Sequence, residues 1–191
     1  MKIIIDNGHG AETPGKRSPD GSVLEYAYTR RMATALAAEL RAEGFGVHIL
    51  VPEQKDVPLA ERVRRANGIR DAVALVSLHL NAAGSDGQWH TARGFSCFVA
   101  PNASQQSRLL GRILTEEAER NGMIGNRCVP PQKVWVQNLA ICRQTVCPAV
   151  LTESLFQDNP GDVATLLSPD GFDALINLHK TAILNYLNLK C

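Results

Sequence analysis

Six apolar runs punctuate the chain: KIIID at residues 2–6, FGVHILV at 45–51, AVALVSLHL at 72–80, GFSCFVA at 94–100, the weaker VWVQNLAIC at 134–142 and PAVLTESLF at 148–156. Their apolar positions are consecutive rather than alternating, as in strands buried on both faces of a parallel sheet. Helical spacing fills the gaps. In residues 22–44, Leu24, Ala27, Tyr28, Met32, Ala35, Leu36 and Leu40 share one face, and Gly44 supplies a stop. VPLAERVRRAN at 57–67, NASQQSRLLGRILTEEAERNG at 102–122 and DGFDALINLHKTAILNYLNL at 170–189 predict three more helices. Strand and helix in alternation predict an α/β fold in three layers: a mostly parallel twisted sheet of about six strands, with helices on both faces.

Two segments are loops by composition, AETPGKRSPDGS at 11–22 and AAGSDGQWHTARG at 82–94. Each follows a strand and so lies beyond its carboxyl end, where ligands bind in open α/β sheets. The 191 residues are expected to form one domain, 1–191. Twenty Lys and Arg against nineteen Asp and Glu give a net charge of +1, which lends no support to a nucleic-acid or membrane-surface partner. Five cysteines (Cys97, Cys128, Cys142, Cys147 and Cys191), odd in number and without a C-x-x-C pair, point to folding in a reducing compartment, and Cys142 and Cys147 read as buried thiols rather than as part of a metal site. No run approaches the roughly 18 apolar residues of a membrane span, and the first strand starts too early for a leader. No membrane insertion and no export signal are expected.

Against this apolar background, a few polar residues stand where strands end. His9 follows the first run, His79 closes ALVSLHL, and Glu153 closes AVLTE. A carboxylate ending an apolar strand needs a charged or metal partner, because desolvating it alone is costly. Glu25, in the first turn of the helix after the 11–22 loop, faces the same mouth as His9. Two histidines and one glutamate suit zinc and leave a fourth position for water, the catalytic arrangement. Glu153 could then take a proton from that water and return it to a leaving amine. The plainer readings are turn or strand-end hydrogen bonding for the histidines, a helix-dipole acid for Glu25, and for Glu153 an ion pair with an arginine such as Arg62. Asn81 is expected to orient His79, and Asp6 to support a metal-bound imidazole. Lys16 and Arg17 are candidates for clamping an anionic substrate. His48, His90 and His179 lack ligand spacing and are placed outside the site.

IIIDNGHG, SVLEYAYTRRMATALAAEL, PLAERVRRAN, VSLHLNA, GFSCFV and PAVLTESLFQDN, in this order over residues 2 to about 188, resemble the zinc-dependent N-acetylmuramoyl-L-alanine amidases of the amidase-3 family. The resemblance implies hydrolysis of the amide between N-acetylmuramic acid and L-alanine in peptidoglycan, with zinc on His9, Glu25 and His79 and Glu153 as the catalytic carboxylate. It implies peptidoglycan as partner; separately, a monomer is expected. The protein would be cytoplasmic until released or exported to the wall. The chain departs from the family pattern in the basic pair Lys16-Arg17 and in the E-x-G-F-x-x-N motif, where Ser154 and Leu155 precede Phe156, a change expected to affect packing only. Residues 121–135 are too short for the inserted helix that plugs the site in regulated relatives, so an open groove is expected. Two rivals remain: a carboxypeptidase-like zinc enzyme, disfavoured by the long loop between His9 and Glu25, and a wall-binding module of the same fold without turnover.

Overall fold

The structure, a computed structural model, describes residues 1–190. The elements run β1 (Lys2–Asn7), α1 (Glu25–Ala42), β2 (Gly46–Ile49), α2 (Leu59–Gly68), β3 (Ala72–Asn81), β4 (Ser96–Val99), α3 (Gln105–Arg120), β5 (Trp135–Val136), α4 (Ala140–Gln144), β6 (Ala149–Phe156), α5 (Pro160–Leu167) and α6 (Pro169–Lys190). One six-stranded sheet has the order β2-β1-β3-β6-β4-β5. All neighbours are parallel except β4 and β6. The expected architecture of a mostly parallel six-stranded sheet between helices is therefore present.

Because side chains alternate across a strand, each apolar run supplies two cores. Ile3 and Ile5 of β1, with Val76 and Leu78 of β3, meet Met32 and Leu36 of α1, Leu110 of α3 and Ile183 of α6. Ile4, Leu75 and Leu151 face the other way, into a smaller core with Val57, Ala66 of α2 and Ile141 of α4. By the same alternation Asp6, Ser77, His79 and Glu153 belong to the α2/α4 face. The smaller core thus ends, at the carboxyl edge of the sheet, in polar residues.

Three local expectations are corrected. The run at 134–142 is a two-residue edge strand followed by a helix: Trp135 and Val136 pair with β4, and Leu139 then leads into α4, its carbonyl accepting from Arg143 N at 2.9 Å. Gln137 and Asn138 break the apolar run, and Leu, Ala and Ile that follow suit a helix packed on one side. The second correction is α5, absent from the sequence reading. Its start is nevertheless written at Asn159-Pro160, where the Asn159 side chain accepts from Asp162 N and proline occupies the first turn. The third is Leu155. His79 pairs with Glu153 but Asn81 pairs with Phe156, so β6 carries an extra residue, a β-bulge. Leu155 sits in this bulge at φ 74. The departure from the family glycine is therefore one of backbone as well as packing: a leucine in the left-handed region costs about 1–2 kcal/mol. Leu155 is buried in the larger core, and burying a leucine side chain contributes about 2 kcal/mol in the opposite direction. Residues 121–134 carry no helix.

Candidate metal centre

The turn after β1 is built by contact rather than by glycine freedom. Gly8 N donates to Leu78 O at 2.9 Å, carrying the ladder one residue past the strand. The following residue, His9, itself takes the left-handed conformation, with φ 56. The glycines on either side are required for a different reason. A Cβ on Gly8 would lie 2.4 Å from His79 Cε1, and one on Gly10 would lie 2.0 Å from Asp56 N. Gly8 therefore lets the two histidines come together, their rings perpendicular with centroids 5.0 Å apart.

Arg62, buried on α2, fastens this turn. Its Nη1 donates to Asp6 Oδ1 at 2.8 Å and to Asn7 O at 2.6 Å, and its Nε donates to Val57 O at 2.8 Å. Nη2 reaches Asp56 Oδ1 at 3.1 Å and His9 O at 3.4 Å. The second oxygen of Asp6 accepts from Ser77 Oγ at 2.5 Å. This corrects two expectations. Asp6 supports the turn through Arg62 rather than an imidazole, and Arg62 pairs with Asp6 and Asp56 rather than Glu153. Nothing in the sequence separates Arg62 from its helical neighbours Arg64 and Arg65, which make exposed or half-buried pairs with Glu61.

Glu25 arrives from the opposite side as the first residue of α1, where its N–H donates to Lys16 O at 3.0 Å. It is fully buried. Its Oε1 lies 3.1 Å from His79 Nδ1 and 3.4 Å from His9 Nε2, and accepts from Leu80 N at 3.0 Å. Oε2 accepts from the buried Gln157 amide at 3.3 Å. Gln157, which immediately follows β6, escaped the sequence reading; it carries no charge and matches no ligand pattern. Three potential ligand atoms, one from each of His9, Glu25 and His79, lie within 4.8 Å of one another. Two ligands each about 2.1 Å from one tetrahedral ion stand roughly 3.4 Å apart, so this spacing fits a single cation.

The electrostatics point the same way. Burial pushes the His9 imidazole down to about 4, against the pull of Glu25. Burial also opposes a charge on His79, but the hydrogen bond and negative charge of Glu25 outweigh it and the net shift is upward. Glu25 is disfavoured by burial, yet His79 and His9 hold it below the usual carboxylate range. The carboxylate of Glu25 thus favours positive charge at the point where the two imidazoles meet.

Glu153 lies beside this cluster, in register with His79 on one side and Ser96 on the other. Its Oε2 is buried with no hydrogen-bond partner among the described residues. Burial raises the carboxyl to about 7, an effect tempered by the His79 charge. Asn81 does not reach His79: its Oδ1 accepts from Ala82 N at 2.9 Å, at the end of the strand. Lys16 and Arg17 line a polar cleft beside the site. His48 is exposed on the edge strand β2 and His90 pairs with Asp86 at 2.9 Å, while His179 is buried against Thr152 and Leu175 O. None of the three contributes to the cluster.

The chain is 28 % identical over 191 residues to an endolysin of Bacillus phage SPP1, covering 98 % of this chain and 66 % of that protein. It is 27 % identical over 199 residues to the sporulation-specific N-acetylmuramoyl-L-alanine amidase of Bacillus subtilis (strain 168), covering 100 % of this chain and 69 % of that protein. It therefore spans about two thirds of the length of these relatives. Its fold is that of the crystal structure of an N-acetylmuramoyl-L-alanine amidase from Clostridium difficile 630, with TM-score 0.86, 24 % identity and coverage of 100 % and 98 % of the two chains. The sequence profile Amidase_3, described as N-acetylmuramoyl-L-alanine amidase, matches residues 3–185, nearly the whole chain. With that span, and with two histidines and a glutamate gathered at the carboxyl edge of its sheet, the chain belongs to the Amidase_3 family of N-acetylmuramoyl-L-alanine amidases.

Proposed function

We propose that this chain is a zinc-dependent peptidoglycan hydrolase that cleaves the amide between N-acetylmuramic acid and L-alanine. The observation that carries the proposal is the juxtaposition of His9, Glu25 and His79 with Glu153, one strand away and in register with His79. Two imidazole nitrogens and one carboxylate oxygen are a donor set suited to zinc that leaves room for water. When bound there, zinc would supply a Lewis acid and bring the ionisation of a water near neutral pH.

The chain's own residues do the rest. Gln157 and Leu80 N orient the Glu25 carboxylate, while Arg62 holds the turn that presents His9. Glu153 Oε2, without an internal partner, is free to accept the proton of the attacking water. Its carboxyl, raised to about 7, holds that proton near neutral pH and can pass it to the departing alanine nitrogen. Next to the histidines, a cleft of about 340 Å³ whose walls include Val57, Pro58, Leu59, Leu139 and Ile141 offers a mainly apolar surface to an uncharged part of the substrate.

Digestion of purified cell wall tests the reading. The zinc-loaded protein is expected to release new alanine amino termini without new reducing sugar ends. Glu153→Gln is expected to retain zinc and lose about 100-fold or more in turnover, the usual scale for a general acid–base group. Reducing ends in place of alanine termini, or full turnover by the variant, would overturn it.

A further inference from the structure

A second cleft, of about 440 Å³, lies between the 11–22 and 82–94 loops, and its lining includes Lys16, Arg17, Gly84, Gln88 and Asp158. Its chemistry is the opposite of the apolar cleft. Lys16 and Arg17 form no ion pair among the described residues, so two positive head groups stand uncommitted at its wall. Lys16 is tied to the metal centre by its carbonyl, which accepts from Glu25 N, and its charge is felt at His9, Glu25 and Glu153.

On the same wall Asp158 is 5 % exposed. Its Oδ2 accepts from Ala83 N at 2.7 Å and Gly84 N at 3.0 Å, pinning the 82–94 loop. Its Oδ1 is buried and has no partner among the described residues. Leaving such an acceptor unfilled is costly, so the cleft is built to receive a donor as well as an anion.

Resting on the amidase reading above, we propose that this cleft is the subsite for the peptide part of the substrate, and that it selects a residue bearing a free carboxylate. Lys16 and Arg17 bind that carboxylate, and Asp158 Oδ1 accepts an N–H from the same peptide. The chemistry of the substrate supports this division. Once its lactyl carboxyl is locked in the amide, the muramoyl side is uncharged and suits the apolar cleft. Free carboxylates are carried by the peptide side.

The test uses two muramoyl peptides that differ only in the residue after alanine, which carries a side-chain carboxylate in one and the carboxamide in the other. Cleavage is read on the zinc-loaded enzyme, and binding on Glu153→Gln by calorimetry. A paired, charge-assisted contact predicts a preference of about 10-fold for the carboxylate in both kcat/KM and affinity, shrinking as salt is raised. The Lys16→Gln/Arg17→Gln double variant should bring the preference to within about 2-fold. Asp158→Asn, which keeps an oxygen for the Ala83 and Gly84 amides, should weaken both peptides alike and leave their ratio standing. Equal affinity of the two peptides for Glu153→Gln, or a preference that survives the double variant, overturns the proposal. Preferential binding without cleavage by the parent enzyme would uphold the subsite while removing the amidase reading.

Discussion

At Gly8 a single hydrogen atom decides whether the centre can assemble, because a Cβ there would meet the His79 ring at 2.4 Å. Gly8→Ala should displace that ring from Glu25 and weaken metal binding by about 10–100-fold, the range seen when the groups that orient ligands are disturbed. Competition with a chelator of known affinity measures it, and unchanged affinity would show that His79 has room to move. The same residue illustrates how much of the site was legible. His9, Glu25, His79 and Glu153 stood out because a polar residue at the end of an apolar strand, or an acid opening the helix behind the site loop, demands a partner. The reason for the flanking glycines was less visible. In G-H-G the natural inference is that glycine makes the turn, whereas His9 takes the left-handed conformation and the glycines give way to a ring and a backbone. Sequence spacing carries no information about what will be packed against an atom.

At the scale of elements, α2 matters more than its exposed, charged composition suggests. Arg62 and Asp6 form a buried pair at 2.8 Å, extended by hydrogen bonds to Asn7 O, Val57 O and Ser77 Oγ. Arg62→Met would leave the Asp6 carboxylate buried without its cation, which costs about 3–5 kcal/mol. Denaturant melts should show that loss, and adding Asp6→Asn should recover part of it. Additive losses would mean that the two residues act independently. Strands and long helices were readable because their apolar periodicities extend over many residues. The short pieces were not: β5 and α4 share the apolar run at 134–142, interrupted only by Gln137 and Asn138, and their packing against β4 and β6 settles which is strand and which is helix. The bulge at Leu155 was hidden for another reason. An apolar residue in an apolar strand gives no sign that its φ is 74.

For the molecule as a whole, the buried His179, outside the His9–Glu25–His79 cluster, couples stability to pH. Burial lowers its imidazole from 6.5 to about 4. The neutral ring is well served: Nδ1 lies 2.8 Å from Leu175 O and Nε2 lies 3.0 Å from Thr152 Oγ1. Above pH 6.5 neither the folded nor the unfolded chain protonates this residue, so its contribution is complete. As pH falls from 6.5 towards 4 the unfolded chain gains a proton that the folded chain resists, and stability declines by up to roughly 3 kcal/mol. Thermal melts across this range should therefore fall less steeply for His179→Gln than for the parent protein; parallel slopes would remove His179 as a source of acid sensitivity.

The α/β class, the longer strands and the long covering helices were legible because they follow from hydrophobic spacing alone. The meeting of β1, β3 and α1 at one point depends on sheet order, which spacing does not encode. That meeting is best tested by diffraction from a zinc-soaked crystal, recorded at the zinc absorption edge. One anomalous peak is expected within about 2.0–2.3 Å of His9 Nε2, a Glu25 carboxylate oxygen and His79 Nδ1. A zinc peak elsewhere, or none at these three residues, would contradict the metal centre and with it the proposed chemistry.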